Sequence, residues 1–241
     1  NNESFTVNKI IENNQIIIIL GSPGSGKTSI LKKYQNANDD ICEFMHVKKF
    51  IELTIDLKST TKVLLLDGLD EYRSSQNEKT FTITLLGDKI SKILNIYKDL
   101  KIVISCREMD WYGDADEKAL KDEIKVNTAI YNIQPLDNNL QNKLSKFFKI
   151  DDSEKFIEKF SSHGLLENPQ MFSMLANLWK EPNIEINSKK ELYEFFIKKA
   201  KEQNTIHSQL IMKLEIDDIF KYSGYLAFFY MFCGVDEFNE E

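Results

Sequence analysis

The chain has 241 residues, 42% of them hydrophobic and 29% charged, with a formal net charge of -7. That length accommodates one α/β domain plus a smaller appended domain, each able to bury its own core, and the balance of apolar and charged residues excludes wholesale disorder or a fibrous protein. The acidic balance argues against a protein whose main task is holding nucleic acid, because affinity for a phosphate backbone comes from clustered Lys and Arg.

Cys42, Cys106 and Cys233 are odd in number and far apart, and His46, His163 and His207 are equally scattered. Neither set has zinc-site spacing, and the cysteine usage suits a reducing compartment. Residues 1–15 are polar and lack the apolar core of a cleavable signal. The longest apolar stretch, Tyr222 to Gly234, falls short of the roughly 20 residues a bilayer requires. A cytoplasmic protein with no membrane partner is therefore expected. The missing initial methionine and the acidic end after an apolar helix suggest a piece of something longer.

In chain order, the first apolar run is Ile16 to Leu20 (IIIIL), read as a strand. A helix is predicted from Thr28 to about Tyr34. Further strands fall at about 43–47, 63–67 (VLLLD), 102–105 (IVIS) and 129–133. A longer helix is predicted over about 77–98, where Ile83, Leu86, Ile90, Ile93, Leu94 and Tyr97 recur at steps of three and four. Short β-branched runs alternating with helices predict a five-stranded parallel sheet covered on both faces. After Gln134 and Pro135 the pattern turns helical: Leu140, Leu144, Phe147 and Phe148, then Phe156, Ile157 and Phe160, then Met171, Met174, Leu175, Leu178 and Trp179. The predicted organisation is an α/β domain over 1–134, a helical lobe over 135–205 and a helical segment over 206–241.

Between the first strand and the first long helix stands Gly21-Ser22-Pro23-Gly24-Ser25-Gly26-Lys27-Thr28, a match to G-x-x-x-x-G-K-[ST] in its proper strand-to-helix context. Such a loop curls so that its amides and the positive end of the following helix meet phosphate charge. Lys27 then reaches the β and γ oxygens of a nucleotide, and Thr28 offers its hydroxyl to Mg²⁺. Ser29, at the start of the helix, completes the candidate cofactor-binding set, with ATP or ADP as the cofactor.

Val63 to Asp67 is an apolar strand ending in a carboxylate, at the sheet edge where open α/β sheets bind ligands. Asp67 is the second candidate metal residue, acting through water. Asp70 and Glu71 follow within a turn, and one of them can orient or deprotonate an attacking water. Asp70 is the first choice and Glu71 the second; either can instead cap a helix or pair with a surface lysine. Of the 31 basic residues only Arg73 and Arg107 are arginine. Arg107, read as lying two residues beyond the strand ending at Ser105, can contact a γ-phosphate or simply pair with Glu108. Arg73 is expected to make a surface pair with Asp70 or Glu71.

These pieces, GSPGSGKT, LLLDGLDE, ISCRE and GLLENPQMFSML, together resemble the NACHT family within the STAND class of signalling NTPases, over roughly residues 10 to 205. The second piece carries most weight: Gly68 follows the metal carboxylate where a typical AAA+ ATPase has its catalytic acid, and Asp70 and Glu71 come two and three positions after it. The resemblance implies a P-loop NTPase fold followed by a helical lid lobe, with Arg107 as a sensor arginine. It also implies that Pro169 packs against adenine, although a proline there equally suits a helix N-terminus. By the same analogy the chain would be an ATP-dependent switch that self-associates on activation and drives an attached or separate effector, as in bacterial antiviral defence. The segment Asp217 to Gly234 would begin a winged helix. The stretch between the second and third strands is short for this family, and no histidine can be placed as its nucleotide lock. A stand-alone AAA+ motor and a P-loop phosphotransferase are the alternatives.

Overall fold

The computed structural model describes residues 6–76, 81–126, 128–161 and 164–180, together with 191, 194 and 195. The chain divides into two compact units, Asn1–Glu181 and Pro182–Glu241. Residues 196–241, including Tyr225, Phe228, Phe229 and Phe232 and the expected winged-helix start, lie outside the described residues.

Thr6 caps a short helix, α1 (Val7–Asn13). There follow β1 (Ile16–Gly21), α2 (Lys27–Ala37), β2 (Cys42–His46), α3 (Val47–Glu52), β3 (Val63–Asp67), α4 (Leu69–Ser74), α5 (Phe81–Ile96), β4 (Lys101–Arg107), α6 (Asp114–Ile124) and β5 (Thr128–Asn132). The five strands form one sheet in the order β2-β3-β4-β1-β5, and every pairing is parallel.

The apolar runs of β1, β3 and β4 suit central strands covered on both faces, whereas the outer strands β2 and β5 are more polar and only partly buried. Side chains alternate across a strand, so Ile16, Ile18 and Leu20 join Leu64, Leu66, Ile102 and Ile104 in one core, with Ile83, Leu86 and Ile90 of α5 and Leu120 of α6. Ile17 and Ile19 point the other way, into a core with Leu65, Val103, Ile10 and Ile11 of α1 and Leu31 of α2. Each fully buried aliphatic side chain contributes roughly 1.5–3 kcal/mol. Cys42 and Cys106 are buried in these two cores. Burial pushes both thiols up to about 12, which keeps them protonated and inert near neutral pH.

The strand reading holds with small shifts: β2 and β5 each begin one residue earlier than expected. The larger correction is in β4, which runs on to Arg107. Arg107 is therefore the last residue of a strand, pinned by register opposite Gly21.

Beyond β5 the described residues are helical: α7 (Asn138–Phe147), α8 (Ser153–Ser161), a 3-10 turn at Leu165–Glu167 and α9 (Pro169–Trp179). Phe156 is the hub, stacking edge-on with Phe160, Phe172 and Trp179 at ring separations of 5.3 to 5.6 Å. The face of α7 departs from its apolar pattern. Leu140 and Phe147 are exposed, whereas Gln141 and Ser145 are buried. Their polar groups are satisfied locally, Gln141 donating to the Leu136 carbonyl and Ser145 to the Gln141 carbonyl, which makes that burial tolerable. Among the described residues no helix is long and apolar enough to cross a membrane.

Candidate functional site

The strand order builds the site. Because β4 lies between β1 and β3, three chain segments meet at the carboxyl edge of the sheet: the loop leaving β1, the acidic end of β3 and the end of β4. They wall a cleft of about 600 Å³, and residues Pro169, Gln170, Ser173 and Met174 of α9 close one side. Nine of the residues singled out from the sequence for the loop and the acidic strand end line it: Pro23, Gly24, Gly26, Lys27, Thr28, Ser29, Asp67, Asp70 and Glu71. Arg107 lines it too. Gly21, Ser22 and Ser25 belong to the loop but not to the wall of the cleft.

The loop curls as its glycines allow. Gly24 and Gly26 have φ of +73° and +93°, in the left-handed region, and Gly26 is the N-cap of α2. Successive amides in such a turn make an anion-binding concavity, reinforced by the helix start. Ser25 Oγ is buried without a hydrogen-bond partner. Lys27 spans its own loop, its ammonium donating to the carbonyls of Gly21 (2.7 Å) and Ser22 (3.1 Å). Burial holds that ammonium below the ordinary lysine range, opposed by the attraction of Asp70 and reinforced by the repulsion of Arg107.

Thr28 and Asp67 meet from opposite walls, the Thr28 hydroxyl donating to Asp67 Oδ2 at 2.8 Å. A hydroxyl and a carboxylate oxygen are the hard donors Mg²⁺ prefers, so this pair fits such an ion. Ser105, which the sequence did not single out, fixes the other carboxylate oxygen. It donates to Asp67 Oδ1 at 2.5 Å and accepts from the Gly68 N–H at 3.0 Å. The only signal for it was a hydroxyl near the end of a strand, which becomes informative once β4 is known to adjoin β3.

The two acids of α4 differ. Asp70 is buried and paired with Arg107, its Oδ2 2.7 Å from Nε and its Oδ1 accepting the Arg107 backbone N–H at 3.2 Å. The Arg107 side chain stays 47% exposed, which leaves it reaching into the cleft; its partner is Asp70, not Glu108. Glu71 is exposed, and a Cβ on Gly68 would come within 3.1 Å of its Oε2. Arg73 corrects the sequence reading. It is 1% exposed and pairs with Asp116 rather than with Asp70 or Glu71.

Pro169 is the first residue of α9, and Asn168 caps it by accepting from the N–H groups of Gln170 (3.0 Å) and Met171 (3.2 Å). The helix-start reading of Pro169 holds, and the residue also faces the cleft. The same cap grips the phosphate loop. Asn168 Nδ2 donates to the Pro23 carbonyl at 2.8 Å, and the Gln170 N–H to the Gly24 carbonyl at 3.2 Å. A Cβ at Gly24 would strike the Gln170 side chain and lie 2.9 Å from Asn168 Oδ1. Gly24→Ala is expected to destabilise the fold by about 1–2 kcal/mol from the left-handed backbone alone, and by more from the collision. Thermal unfolding of Gly24→Ala with and without Gln170→Ala tests this: the second change should recover part of the loss, and no recovery would discount the collision.

A five-stranded parallel sheet with helices on both faces, a phosphate-type loop after its first strand and a helical lobe beyond it define the α/β fold of P-loop NTPases. No family model matches the chain, and comparison with curated proteins gives no match. Among solved structures the chain is similar to AMPPCP-bound DnaA from Aquifex aeolicus, at 19% identity and a TM-score of 0.50, covering 81% of this chain and 66% of that one. It is similar also to the replication initiator DnaA bound to AMPPCP and single-stranded DNA, at 16% identity and a TM-score of 0.50, covering 82% and 66%. The chain thus spans just under two thirds of those structures, and at these identities the likeness is one of fold.

Proposed function

We propose that this chain is an ATP-binding, slowly hydrolysing switch of the NACHT type, its nucleotide seated in the cleft between the loop, the acidic strand end and α9. The observation that carries this reading is the meeting of Thr28 and Asp67 at 2.8 Å beneath a curled glycine loop, with Lys27 and Arg107 on the same cleft. Lys27 binds phosphate by leaving its loop carbonyls, and an anion there relieves the cost of its burial. Thr28 and Asp67 would hold Mg²⁺, which would supply positive charge against the phosphates. Ser105 holds the Asp67 carboxylate in orientation. Arg107 senses the terminal phosphate, and Pro169 lies against the base.

The acids divide the remaining work. Asp70 holds Arg107 and, once that arginine turns to phosphate, is freed to orient water; exposed Glu71 is the other candidate base. Asp70→Asn is expected to keep nucleotide affinity within a few-fold while slowing single-turnover hydrolysis by about 100-fold. Glu71→Gln serves as the parallel measurement. Equal hydrolysis by the Asp70 variant would remove that residue from the mechanism.

Gly68, with the acids two and three positions beyond it, supports the NACHT reading over a typical AAA+ motor. Control of self-association and of an effector, in defence signalling, rests on that resemblance. A stand-alone AAA+-type motor is the second reading. The single-stranded DNA of the DnaA structure is not extended to this chain, whose charge of -7 works against a phosphate-backbone ligand. Mass spectrometry of the denatured purified protein separates the readings: a switch co-purifies with ADP, whereas a motor exchanges nucleotide quickly and is accelerated by its substrate.

A further inference from the structure

Behind the cleft, Arg73 makes a second connection between the same two chain segments that Asp70 and Arg107 join in front. Arg73 lies on α4 three residues beyond Asp70, so both belong to one short rigid element. Its guanidinium forks onto Asp116, with Nη1 2.8 Å from Oδ2 and Nη2 2.9 Å from Oδ1, and Nη1 also donates to the Asp110 carbonyl. The Tyr112 ring lies 4.5 Å from the guanidinium carbon, and the Tyr112 N–H donates to the same Asp116 Oδ2 at 2.8 Å.

Asp110 and Tyr112 lie on the stretch by which the chain leaves β4, and Asp116 stands in the first turn of α6, which that stretch enters. That stretch is a single 3-10 turn and a short loop before α6, seated from one side by Trp111, which is buried in the core, and from the other by Arg73. A surface ion pair tolerates many geometries, but a guanidinium at 1% exposure with a planar fork on a carboxylate tolerates few. The front pair, exposed on its Arg107 side, can therefore open without α4 and the end of β4 separating.

From this we infer that Arg73 is a positioning residue for hydrolysis: it anchors the exit of β4 to α4 and so sets where Arg107 stands relative to Asp70 and the cleft. This rests on the nucleotide reading above. Displacing a reacting group by about 1 Å can cost about 100-fold in rate, so the back connection governs turnover while leaving nucleotide affinity nearly alone.

The test uses the full chain with two changes, Arg73→Lys, which keeps the charge and loses the fork, and the pair Arg73→Met with Asp116→Leu, which removes both charges and keeps an apolar filling. Both are expected to melt cooperatively, to bind Mg-ADP within about threefold of the parent, and to lose at least about tenfold in single-turnover hydrolysis. Amide hydrogen exchange over residues 107–112, measured without nucleotide, should rise in both. In an Arg107→Ala background the Arg73 changes should add no further loss of hydrolysis, because they act through Arg107. Unchanged exchange at 107–112, unchanged hydrolysis, or losses that add to that of Arg107→Ala would each overturn the inference. If the parent chain itself neither binds nor hydrolyses ATP, the nucleotide reading fails and this inference falls with it, a result visible before any variant is made.

Discussion

Alanine at position 27 is expected to leave the chain folded and to abolish measurable binding of Mg-ATP and Mg-ADP. The half-buried Lys27 ammonium donates to two loop carbonyls at 2.7 and 3.1 Å, and those carbonyls can turn to water when it is removed. Stability should therefore change little. Binding is different, because the ammonium is the one lysine charge within the loop. Two charge-assisted hydrogen bonds to phosphate oxygens contribute about 1.5–3 kcal/mol each. Their loss weakens the dissociation constant by roughly 100-fold or more, which takes a micromolar site out of calorimetric range. Lys27→Arg should also fail, since a planar guanidinium does not fit where a compact ammonium reaches between two oxygens. Calorimetry at matched fold, checked by circular dichroism, measures this, and affinity within tenfold of the parent would exclude the loop as the phosphate cradle.

What the sequence made legible and what it hid divide along the range of the interactions. β1 and β3 could be read directly, because runs such as IIIIL and VLLLD are what a strand buried on both faces must look like. The curled loop was equally legible, since its chemistry lies within eight consecutive residues. Ser105 was not, because its meaning depends on β4 lying beside β3, and strand order is not written in any local pattern. The grip of Asn168 and Gln170 on the loop joins residues about 145 apart in the chain. The exposed Leu140 and Phe147 of α7 show the reverse error: helical spacing announces an apolar stripe but not whether anything packs on it. Arg73 was misread for the same reason as Ser105, its partner standing 43 positions away.

Arg73→Ala should be among the most destabilising single substitutions in the described part of the chain. The residue is 1% exposed and Asp116 4%, so truncating the arginine leaves a carboxylate in the interior that, among the described residues, has only the Tyr112 N–H to answer it. Breaking a buried pair by removing one partner costs about 3–5 kcal/mol, because the survivor's charge is left uncompensated. For a unit of this size each kcal/mol corresponds to roughly 2–4 °C in Tm, giving an expected fall of roughly 6–20 °C. Lys92→Ala is the control. Its pair with Asp88 is 2.5 Å long but lies on the surface, with side chains 69% and 49% exposed, and such pairs contribute about 0–1 kcal/mol. Replacing Arg73 and Asp116 together by Met and Leu should recover most of the loss, since it deletes both charges and the penalty of burying them. If scanning calorimetry put Arg73→Ala within about 2 °C of the parent, less than one kcal/mol by the same scaling, the pair would not be the buried, dry contact its geometry describes. Water would then reach Asp116, and α4 would owe its place to packing alone.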